Sequence, residues 1–269
     1  MPSLAVTSSG AGPRLVLLHG FTQDGTLWGP FGELLARSAR LEAIDLPGHG
    51  GSASIALSLE ETADALVAQL GGERVDLLGY SLGGRVALVT ALRHPASIRR
   101  LVLIGATAGI AEPSARAARR ALDEHRALEL EMTGDVAGFI EDWLSQPMFA
   151  RLDPRRAGAE RRALNSAAGL AASLRLMGTG TMAPLWDELS SCATPTLLLA
   201  GASDPRFTDA ARRMAASMPE ATFSLVPGAG HACQLEQPAL TAQVVRAWLA
   251  STDPHASATP RASSTPTAS

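Results

Sequence analysis

Residues 77–85 read Leu-Leu-Gly-Tyr-Ser-Leu-Gly-Gly-Arg and place one serine, Ser81, between two glycines. The apolar run from Val75 to Leu78 predicts a strand before this serine, and the pattern from Leu82 towards Leu92 predicts a helix after it. A strand, Gly-x-Ser-x-Gly and a helix in this order are typical of a nucleophile elbow, where a strained turn raises a serine hydroxyl above a sheet. Larger side chains at the glycine positions would collide with the strand or the helix. Because glycine and serine also mark ordinary turns, the rest of the chain must supply a base, an acid and an oxyanion hole.

The composition describes a slightly acidic chain with enough apolar residues for a large core. Of 269 residues, 46% are hydrophobic, and the formal net charge is -3. This charge provides no cationic field that would attract nucleic acid. We find no signal peptide and no apolar run long enough to span a bilayer, and two cysteines, Cys192 and Cys233, make no disulfide framework. We therefore expect a cytoplasmic protein without a nucleic-acid or membrane partner.

Short apolar runs that predict buried strands alternate with helical patterns along most of the chain. The predicted strands are Leu4 to Thr7, Arg14 to Leu18, Leu41 to Ile44, Val75 to Leu78, Leu101 to Ile104, Thr196 to Ala200 and Thr222 to Val226. A turn is predicted from Ser8 to Pro13, and helices are predicted over Leu27 to Ala39, Leu59 to Leu70 and about Pro238 to Leu249. The alternation predicts an α/β fold with a mostly parallel, doubly wound sheet.

Residues 106–191 interrupt this alternation with a segment rich in arginine and alanine. The segment has no strand pattern and contains the helical runs Ser114 to Met132, Val136 to Leu144 and Ala159 to Met177. We interpret it as a helical lid inserted over the strand ends, where open α/β sheets bind ligands; the alternative is a helical decoration that does not contact substrate. Residues 1–105 and 192–252 would form the core. The Ser-, Thr-, Pro- and Ala-rich residues 253–269 predict a disordered tail.

An aspartate and a histidine follow two later strands, which gives the chain order serine, acid, histidine of a nucleophile-elbow triad. Asp204 comes shortly after the strand that ends at Ala200, and His231 comes shortly after the strand that ends at Val226. Parallel strand ends meet at one edge of a sheet, so Ser81, Asp204 and His231 should converge. His231 would take the serine proton, and Asp204 would hold its tautomer. Asp204 could instead be a turn residue and His231 a structural histidine, but their order and placement favour a triad.

The oxyanion hole should be built from two backbone N–H groups. One belongs to Leu82, directly after the serine, and the other belongs to Phe21, in the loop after the strand Arg14 to Leu18. Gly20 permits a tight approach in this loop. We expect His19 and His49 to support the loops rather than take part in the chemistry.

Several stretches carry a family resemblance. They are His19-Gly20-Phe21, Asp45–Ser52, Gly79–Arg85, Asp142–Phe149, Leu170–Arg175 and Gly228–His231. With them the chain resembles the α/β-hydrolase superfamily, and more closely the SHCHC synthases, where SHCHC is 2-succinyl-6-hydroxy-2,4-cyclohexadiene-1-carboxylate. The Asp-Trp-x-x-Gln-Pro-x-Phe stretch is the most specific, because it lies in the lid, where hydrolase subfamilies diverge. One departure is Gln234, near the place where family members often carry a second histidine.

The resemblance implies an α/β-hydrolase fold and a carbon–oxygen lyase of menaquinone biosynthesis that eliminates pyruvate from an enolpyruvyl substrate, with Ser81 as base. It also implies substrate-binding residues. These are Tyr80, Arg85, Arg119, Trp143 and Arg162. No metal is expected, since the histidines lack ligand spacing. No nucleotide cofactor is expected, since no Gly-x-Gly-x-x-Gly follows the first strand.

The positions of the arginines independently indicate an anionic substrate. Arg85 lies one helical turn after Ser81, and a guanidinium there would suit a carboxylate better than a neutral ester. The lid arginines would also suit a small multi-carboxylate substrate, although many are expected to form a solvated face. Two other functions stay open: a carboxylic-ester or carbon–carbon bond hydrolase with Ser81 as covalent nucleophile, and a catalytically silent binding protein.

Overall fold

Four consecutive side chains, Leu15 to Leu18, are almost fully buried in the computed structural model, which describes residues 2–252. Val16 and Leu18 pack in one apolar cluster, whereas Leu15 and Leu17 pack in another. Successive side chains of a strand point to opposite faces of the sheet, so the two clusters lie on its two faces. A strand covered on both faces needs an uninterrupted apolar run, and full burial of each such side chain contributes about 1.5–3 kcal/mol.

The described residues form one sheet of seven strands. In chain order these are β1 Val6–Ser9, β2 Arg14–Leu18, β3 Arg40–Ile44, β4 Val75–Tyr80, β5 Ile98–Ile104, β6 Thr196–Gly201 and β7 Ala221–Val226. Their order across the sheet is β1-β3-β2-β4-β5-β6-β7. Only β1 pairs antiparallel with its neighbour within this sheet, and the other pairs are parallel. The predicted mostly parallel sheet is therefore confirmed.

Helices connect the strands and cover both faces of the sheet. The α-helices are α1 Gly29–Ala36, α2 Leu59–Leu70, α3 Leu82–Arg93, α4 Pro113–Thr133, α5 Val136–Leu144, α6 Pro154–Ala157, α7 Ala159–Arg162, α8 Ala167–Met177, α9 Pro205–Ser217, α10 Cys233–Glu236 and α11 Pro238–Ser251. Short 3-10 helices span Gly50–Ser52, Pro95–Ser97, Pro147–Phe149 and Leu189–Ser191. Helices α2 and α3 pack together, as do α1 and α11. None of the helices within residues 2–252 is long and apolar enough to cross a membrane.

Five α-helices, α4 to α8, lie between β5 and β6. Helices α4 and α8 contact each other along their lengths, and a separate apolar cluster joins residues of α4, α5 and α8. Leu130 of α4 and Leu170 of α8 are completely buried in this cluster. The segment predicted as a lid thus has its own small core, and the division of the chain into core and lid stays a prediction. The predicted disordered tail, residues 253–269, lies outside the described part of the chain.

The amino-terminal strand is displaced from its prediction. The sequence pattern predicted Leu4 to Thr7 and a turn from Ser8, but the strand is Val6–Ser9. All four of its residues are exposed, since it is an edge strand that hydrogen-bonds on one side only. An exposed edge strand needs no apolar residues, so hydrophobicity did not mark its bounds.

The prediction of one helix from Ala159 to Met177 was also wrong, because one helix ends at Arg162 and the next begins at Ala167. Asn165 Nδ2 donates hydrogen bonds to the carbonyl oxygens of Thr22, at 2.7 Å, and Arg162, at 3.0 Å. The Ser166 hydroxyl then accepts from the N–H of Gly169 and begins a new helix. Polar side chains that bond to the backbone therefore replace the helical hydrogen bonds at this point.

Candidate active site

Ser81 occupies a strained turn between β4 and α3. Its φ of 52° and ψ of −106° lie where a residue other than glycine is rarely found. A Cβ atom at position 79 would lie 2.2 Å from the carbonyl oxygen of Gly83, and one at position 83 would lie 2.1 Å from that of Leu18. Both contacts are too short for any side chain. The two glycines of the elbow are therefore required by the close approach of strand, turn and helix.

Ser81, His231 and Asp204 form a continuous hydrogen-bonded chain. His231 Nε2 lies 3.1 Å from Ser81 Oγ, and His231 Nδ1 lies 3.0 Å from Asp204 Oδ2. A proton on Nδ1 is donated to the carboxylate and leaves Nε2 free to accept the serine proton. The other carboxylate oxygen of Asp204 accepts from the N–H of Phe207, at 3.2 Å, which fixes its orientation. The structure thus brings together the three residues that the sequence singled out.

Two backbone N–H groups beside Ser81 are available to a ligand. Phe21 and Leu82 both line the adjoining cavity, and within residues 2–252 neither N–H has an acceptor. Their neighbours are engaged: the N–H of Gly20 donates to Gln23 Oε1, and that of Gly83 donates to the carbonyl oxygen of His19, each at 3.0 Å. Phe21 and Leu82 therefore stay the candidate donors of an oxyanion hole, as the sequence predicts.

A pair of buried histidines holds the loop that carries Phe21. His19 Nε2 accepts from the N–H of Leu46, at 3.0 Å, and His49 Nε2 accepts from that of Thr22, at 3.2 Å. Their Nδ1 atoms lie 2.8 Å and 2.9 Å from backbone carbonyl oxygens, to which they donate. Burial lowers the pKa of His19 to about 4. Burial and, second to it, the nearby His19 lower the pKa of His49 to about 3. Both rings are therefore neutral at pH 7 and support the loop.

A cavity adjoins Ser81 between the sheet and the helices that follow β5. Its lining on the sheet side consists of Phe21, Ser81, Leu82, Arg85, Thr107, Arg206 and Phe207. On the helical side it consists of Arg119, Trp143, Gln146, Met148, Ser173, Leu174, Met177, Gly178 and Thr179. The helical segment between β5 and β6 therefore forms one side of the cavity beside Ser81.

Three arginines, Arg85, Arg119 and Arg206, line this cavity, and the buried one, Arg85, has no carboxylate partner in the described residues. Arg85 is 8% exposed, and its Nη1 donates to the carbonyl oxygen of Met177 at 2.5 Å. No carboxylate forms an ion pair with Arg85 in the described part of the chain. Burial and the nearby charge of Arg119 lower the pKa of Arg85. Arg119 itself is held by Asp123, to whose Oδ1 its Nε donates at 2.8 Å. The cavity therefore carries positive charge that an anionic ligand would stabilise.

Trp143 forms an aromatic wall of the cavity. Its ring centroid lies 5.0 Å from that of Phe21, and the Arg126 guanidinium lies 5.4 Å from the Trp143 ring. This predicted substrate-binding residue, like Arg85 and Arg119, therefore lies where a ligand of the cavity would touch it.

Tyr80 and Arg162, two of the predicted substrate-binding residues, are not among the residues that line this cavity. Tyr80 is 2% exposed and packs beneath Gly20, where a Cβ atom would approach its ring to 2.6 Å. Arg162 donates through Nη1 to Thr22 Oγ1, at 2.5 Å, and to the carbonyl oxygen of Phe21, at 3.3 Å. The helix break after Arg162 places this residue beneath the loop that carries Phe21. Arg162 therefore helps to hold this loop, and its role in substrate binding stays a prediction.

Several lining residues were missed by the sequence analysis. Arg206 and Phe207 belong to the first turn of α9, and the Phe207 ring centroid lies 4.3 Å from that of His231. These two residues follow the predicted catalytic acid Asp204 by two and three positions, and this proximity could have indicated that they lie near the site. Gln146 and Ser173 stood inside stretches that carry the family resemblance, but their own side chains were not assigned a role.

Comparisons with known proteins agree on one family. A model of the alpha/beta hydrolase family matches residues 15–244. A relative from Escherichia coli O1:K1 / APEC, named 2-succinyl-6-hydroxy-2,4-cyclohexadiene-1-carboxylate synthase, is 35% identical over 84% of this chain and 90% of its own length.

Solved structures show the same likeness. MenH from S. aureus superposes with a TM-score of 0.86 at 29% identity, over 94% of this chain and 99% of that one. A malate-bound thermophilic esterase from Thermogutta terrifontis gives a TM-score of 0.80 at 28% identity, over 93% of both chains. The chain therefore belongs to the alpha/beta hydrolase family and, within it, to the family of 2-succinyl-6-hydroxy-2,4-cyclohexadiene-1-carboxylate synthases.

Proposed function

We propose that this protein is a carbon–oxygen lyase that eliminates pyruvate from 2-succinyl-5-enolpyruvyl-6-hydroxy-3-cyclohexene-1-carboxylate and forms SHCHC, in menaquinone biosynthesis. The observation that carries the proposal is the buried Arg85 guanidinium, which lines the cavity beside Ser81 and has no carboxylate partner among residues 2–252. A neutral substrate would leave that buried cation without a counter-ion, and a substrate with three carboxylates would supply one. The names of the relatives support the same reaction.

The reaction needs a base that removes a proton from C2 of the substrate ring. The C2–H bond of the substrate ring lies next to the succinyl ketone and to the C3=C4 double bond. Removal of the C2 proton forms C2=C3, shifts the double bond to C4=C5 and breaks the bond from C5 to the enolpyruvyl oxygen. Enolpyruvate leaves with the electron pair of that bond and becomes pyruvate on gaining a proton. The protons and electrons balance without an oxidant or a cofactor.

Ser81 would take the C2 proton, since its oxygen faces the cavity and is hydrogen-bonded to His231. His231 accepts the proton of the serine hydroxyl, and Asp204 stabilises the imidazolium that results. The N–H groups of Phe21 and Leu82 would bind the succinyl ketone oxygen, where negative charge grows as the proton leaves. No bond between substrate and Ser81 is needed.

Arg85 and Arg119 would bind substrate carboxylates. A charge-assisted hydrogen bond contributes about 1.5–3 kcal/mol, and both guanidinium groups retain N–H donors beyond the bonds to Met177 and Asp123. The multi-carboxylate substrate and a cytoplasmic location are parts of this proposal. The free buried thiols of Cys192 and Cys233 fit a reducing compartment.

A carboxylic-ester hydrolase is the second candidate, because the same three side chains can attack an ester covalently. The likeness to a thermophilic esterase favours it. The two functions separate in one experiment that measures pyruvate release from the enolpyruvyl substrate beside hydrolysis of p-nitrophenyl acetate. The lyase releases pyruvate and hydrolyses the ester poorly, and the esterase does the reverse.

A further inference from the structure

The hydroxyl of Ser173 is a buried polar group without a partner, and its residue lines the cavity. Ser173 lies inside α8 and is 3% exposed, and its Oγ has no hydrogen-bond partner within residues 2–252. A serine inside a helix commonly donates to the carbonyl oxygen four residues earlier, and Thr90 of α3 does so, to Val86 at 2.8 Å. Buried polar groups are rarely left unpaired, so a partner for Ser173 is expected from outside the chain.

The position of Ser173 relative to Arg85 indicates what that partner is. Ser173 lies one helical turn before Met177, on the same face of α8. The carbonyl oxygen of Met177 is the acceptor that holds Arg85 Nη1. Ser173, Met177 and Arg85 all line the cavity. Ser173 and Arg85 therefore belong to one wall of the cavity, and a single anionic group can accept from the Ser173 hydroxyl and from the remaining N–H groups of Arg85.

We infer that Ser173 is a specificity-determining residue that donates a hydrogen bond to the substrate carboxylate bound by Arg85. The inference rests on the proposed function and adds a residue to it. A carboxylate can accept about four hydrogen bonds and donates none. A guanidinium that binds it bidentately uses two of these positions and leaves room for a hydroxyl donor. An ester without a carboxylate offers no equivalent acceptor at this wall.

We expect Ser173→Ala to keep or raise the melting temperature and to weaken substrate binding. Ser173→Ala removes no hydrogen bond from the unliganded protein, so its melting temperature should be equal to or above that of the wild type. The same change removes a donor from the bound carboxylate, so substrate binding should weaken. A serine that served only the fold would behave in the reverse way.

The test measures KM and kcat for pyruvate release from the enolpyruvyl substrate, together with melting temperatures. Ser173→Ala should raise KM by about tenfold or more, as expected for a hydrogen bond to a charged group. Its kcat should stay within about twofold of the wild type, because the lost bond exists in ground state and transition state alike. Hydrolysis of p-nitrophenyl acetate, which has no carboxylate, should be affected less than the KM for the enolpyruvyl substrate.

Ser52→Ala is the matched control. Ser52 is completely buried, does not line the cavity, and its Oγ accepts from the N–H of Ala5 at 2.9 Å. This variant should melt at a lower temperature and keep the wild-type KM, since it leaves a backbone N–H unpaired far from the ligand.

Two results would overturn the inference, and they are distinguishable. Normal pyruvate release by the wild type with an unchanged KM in Ser173→Ala would remove Ser173 from the site and leave the proposed function intact. A wild-type protein that releases no pyruvate would overturn the proposed function and, with it, the role of Ser173.

Discussion

The backbone N–H of Thr22 donates a 3.2 Å hydrogen bond to Nε2 of His49. This bond exists only while Nε2 carries no proton. Thr22 follows Phe21, which lines the cavity. Thr22 itself has a φ of 70°, which is unusual for a residue with a branched Cβ. The neutral state of His49 thus helps to hold the loop that carries Phe21 in its conformation.

We predict that the protein loses stability as the pH falls below 6.5. Burial lowers the pKa of His49 from 6.5 to about 3 and that of His19 from 6.5 to about 4. Between these values the unfolded chain binds more protons than the native protein, so acid favours unfolding. Each histidine should lower the free energy of unfolding by up to about 1.4 kcal/mol per pH unit. Denaturant titrations between pH 7.0 and about 4.5 measure this slope.

The variant His49→Gln separates this effect from the titration of other groups. A glutamine oxygen can accept from Thr22 without titrating, so its stability should depend less steeply on pH than that of the wild type. His125→Gln is the control, since His125 is exposed, and it should keep the wild-type slope. The same slope in His49→Gln and in the wild type would show that His49 is not the group that senses pH.

Replacing Ser81 tests the strain in the elbow. Ser81→Ala and Ser81→Gly should both abolish turnover, because each removes the hydroxyl. Glycine adopts a positive φ without steric cost, so Ser81→Gly should be more stable than Ser81→Ala by about 1 kcal/mol. Thermal unfolding of the two variants gives the comparison. If alanine is tolerated as well as glycine, the turn at φ 52° is unstrained.

The elbow could be predicted from sequence because its constraints act on neighbouring residues. A Cβ atom at position 83 would lie 2.1 Å from the carbonyl oxygen of Leu18. Only glycine fits there, so this steric requirement can be read from the sequence. The strand-end positions of Asp204 and His231 follow from the parallel sheet in the same way. These residues could therefore be located without a structure, although their catalytic roles stay predictions.

The lid could be predicted only in outline. Its helical periodicity was correct over Val136–Leu144, but it could not reveal that Asn165 would bond to Thr22, 143 residues away in sequence. That contact accompanies the break between the helices at Arg162 and Ala167, which local periodicity did not reveal. Ser173 was missed because a single serine in an apolar helix carries no signal until its missing hydrogen bond is seen.

The positive charge of the cavity gives a further prediction. Arg85→Ala should raise KM for the enolpyruvyl substrate by about ten- to hundredfold through the loss of a charge-assisted hydrogen bond. Its stability should change little, because the lost hydrogen bond to the Met177 carbonyl oxygen is offset by removal of a buried cation that forms no ion pair. Steady-state kinetics and thermal unfolding of the variant measure the two effects.

Arg175→Ala is the control for Arg85→Ala. Arg175 is on α8 and forms ion pairs with Glu124 and Glu131, at 2.9 Å and 2.5 Å, away from the cavity. Its loss should leave KM unchanged and lower stability by about 1 kcal/mol at most, as is usual for exposed pairs. An equal rise of KM in both variants would mean that general charge, rather than contact with Arg85, attracts the substrate.

The central claim is that Ser81 acts as a base in an elimination and forms no bond to the substrate. The most direct measurement is mass spectrometry of the intact protein during turnover of the enolpyruvyl substrate, with pyruvate measured in the same samples. We predict one pyruvate for each diene formed, an unmodified protein mass throughout, and no pyruvate from Ser81→Ala. A protein mass increased by an acyl group on Ser81, with no pyruvate released, would contradict the account and identify a hydrolase.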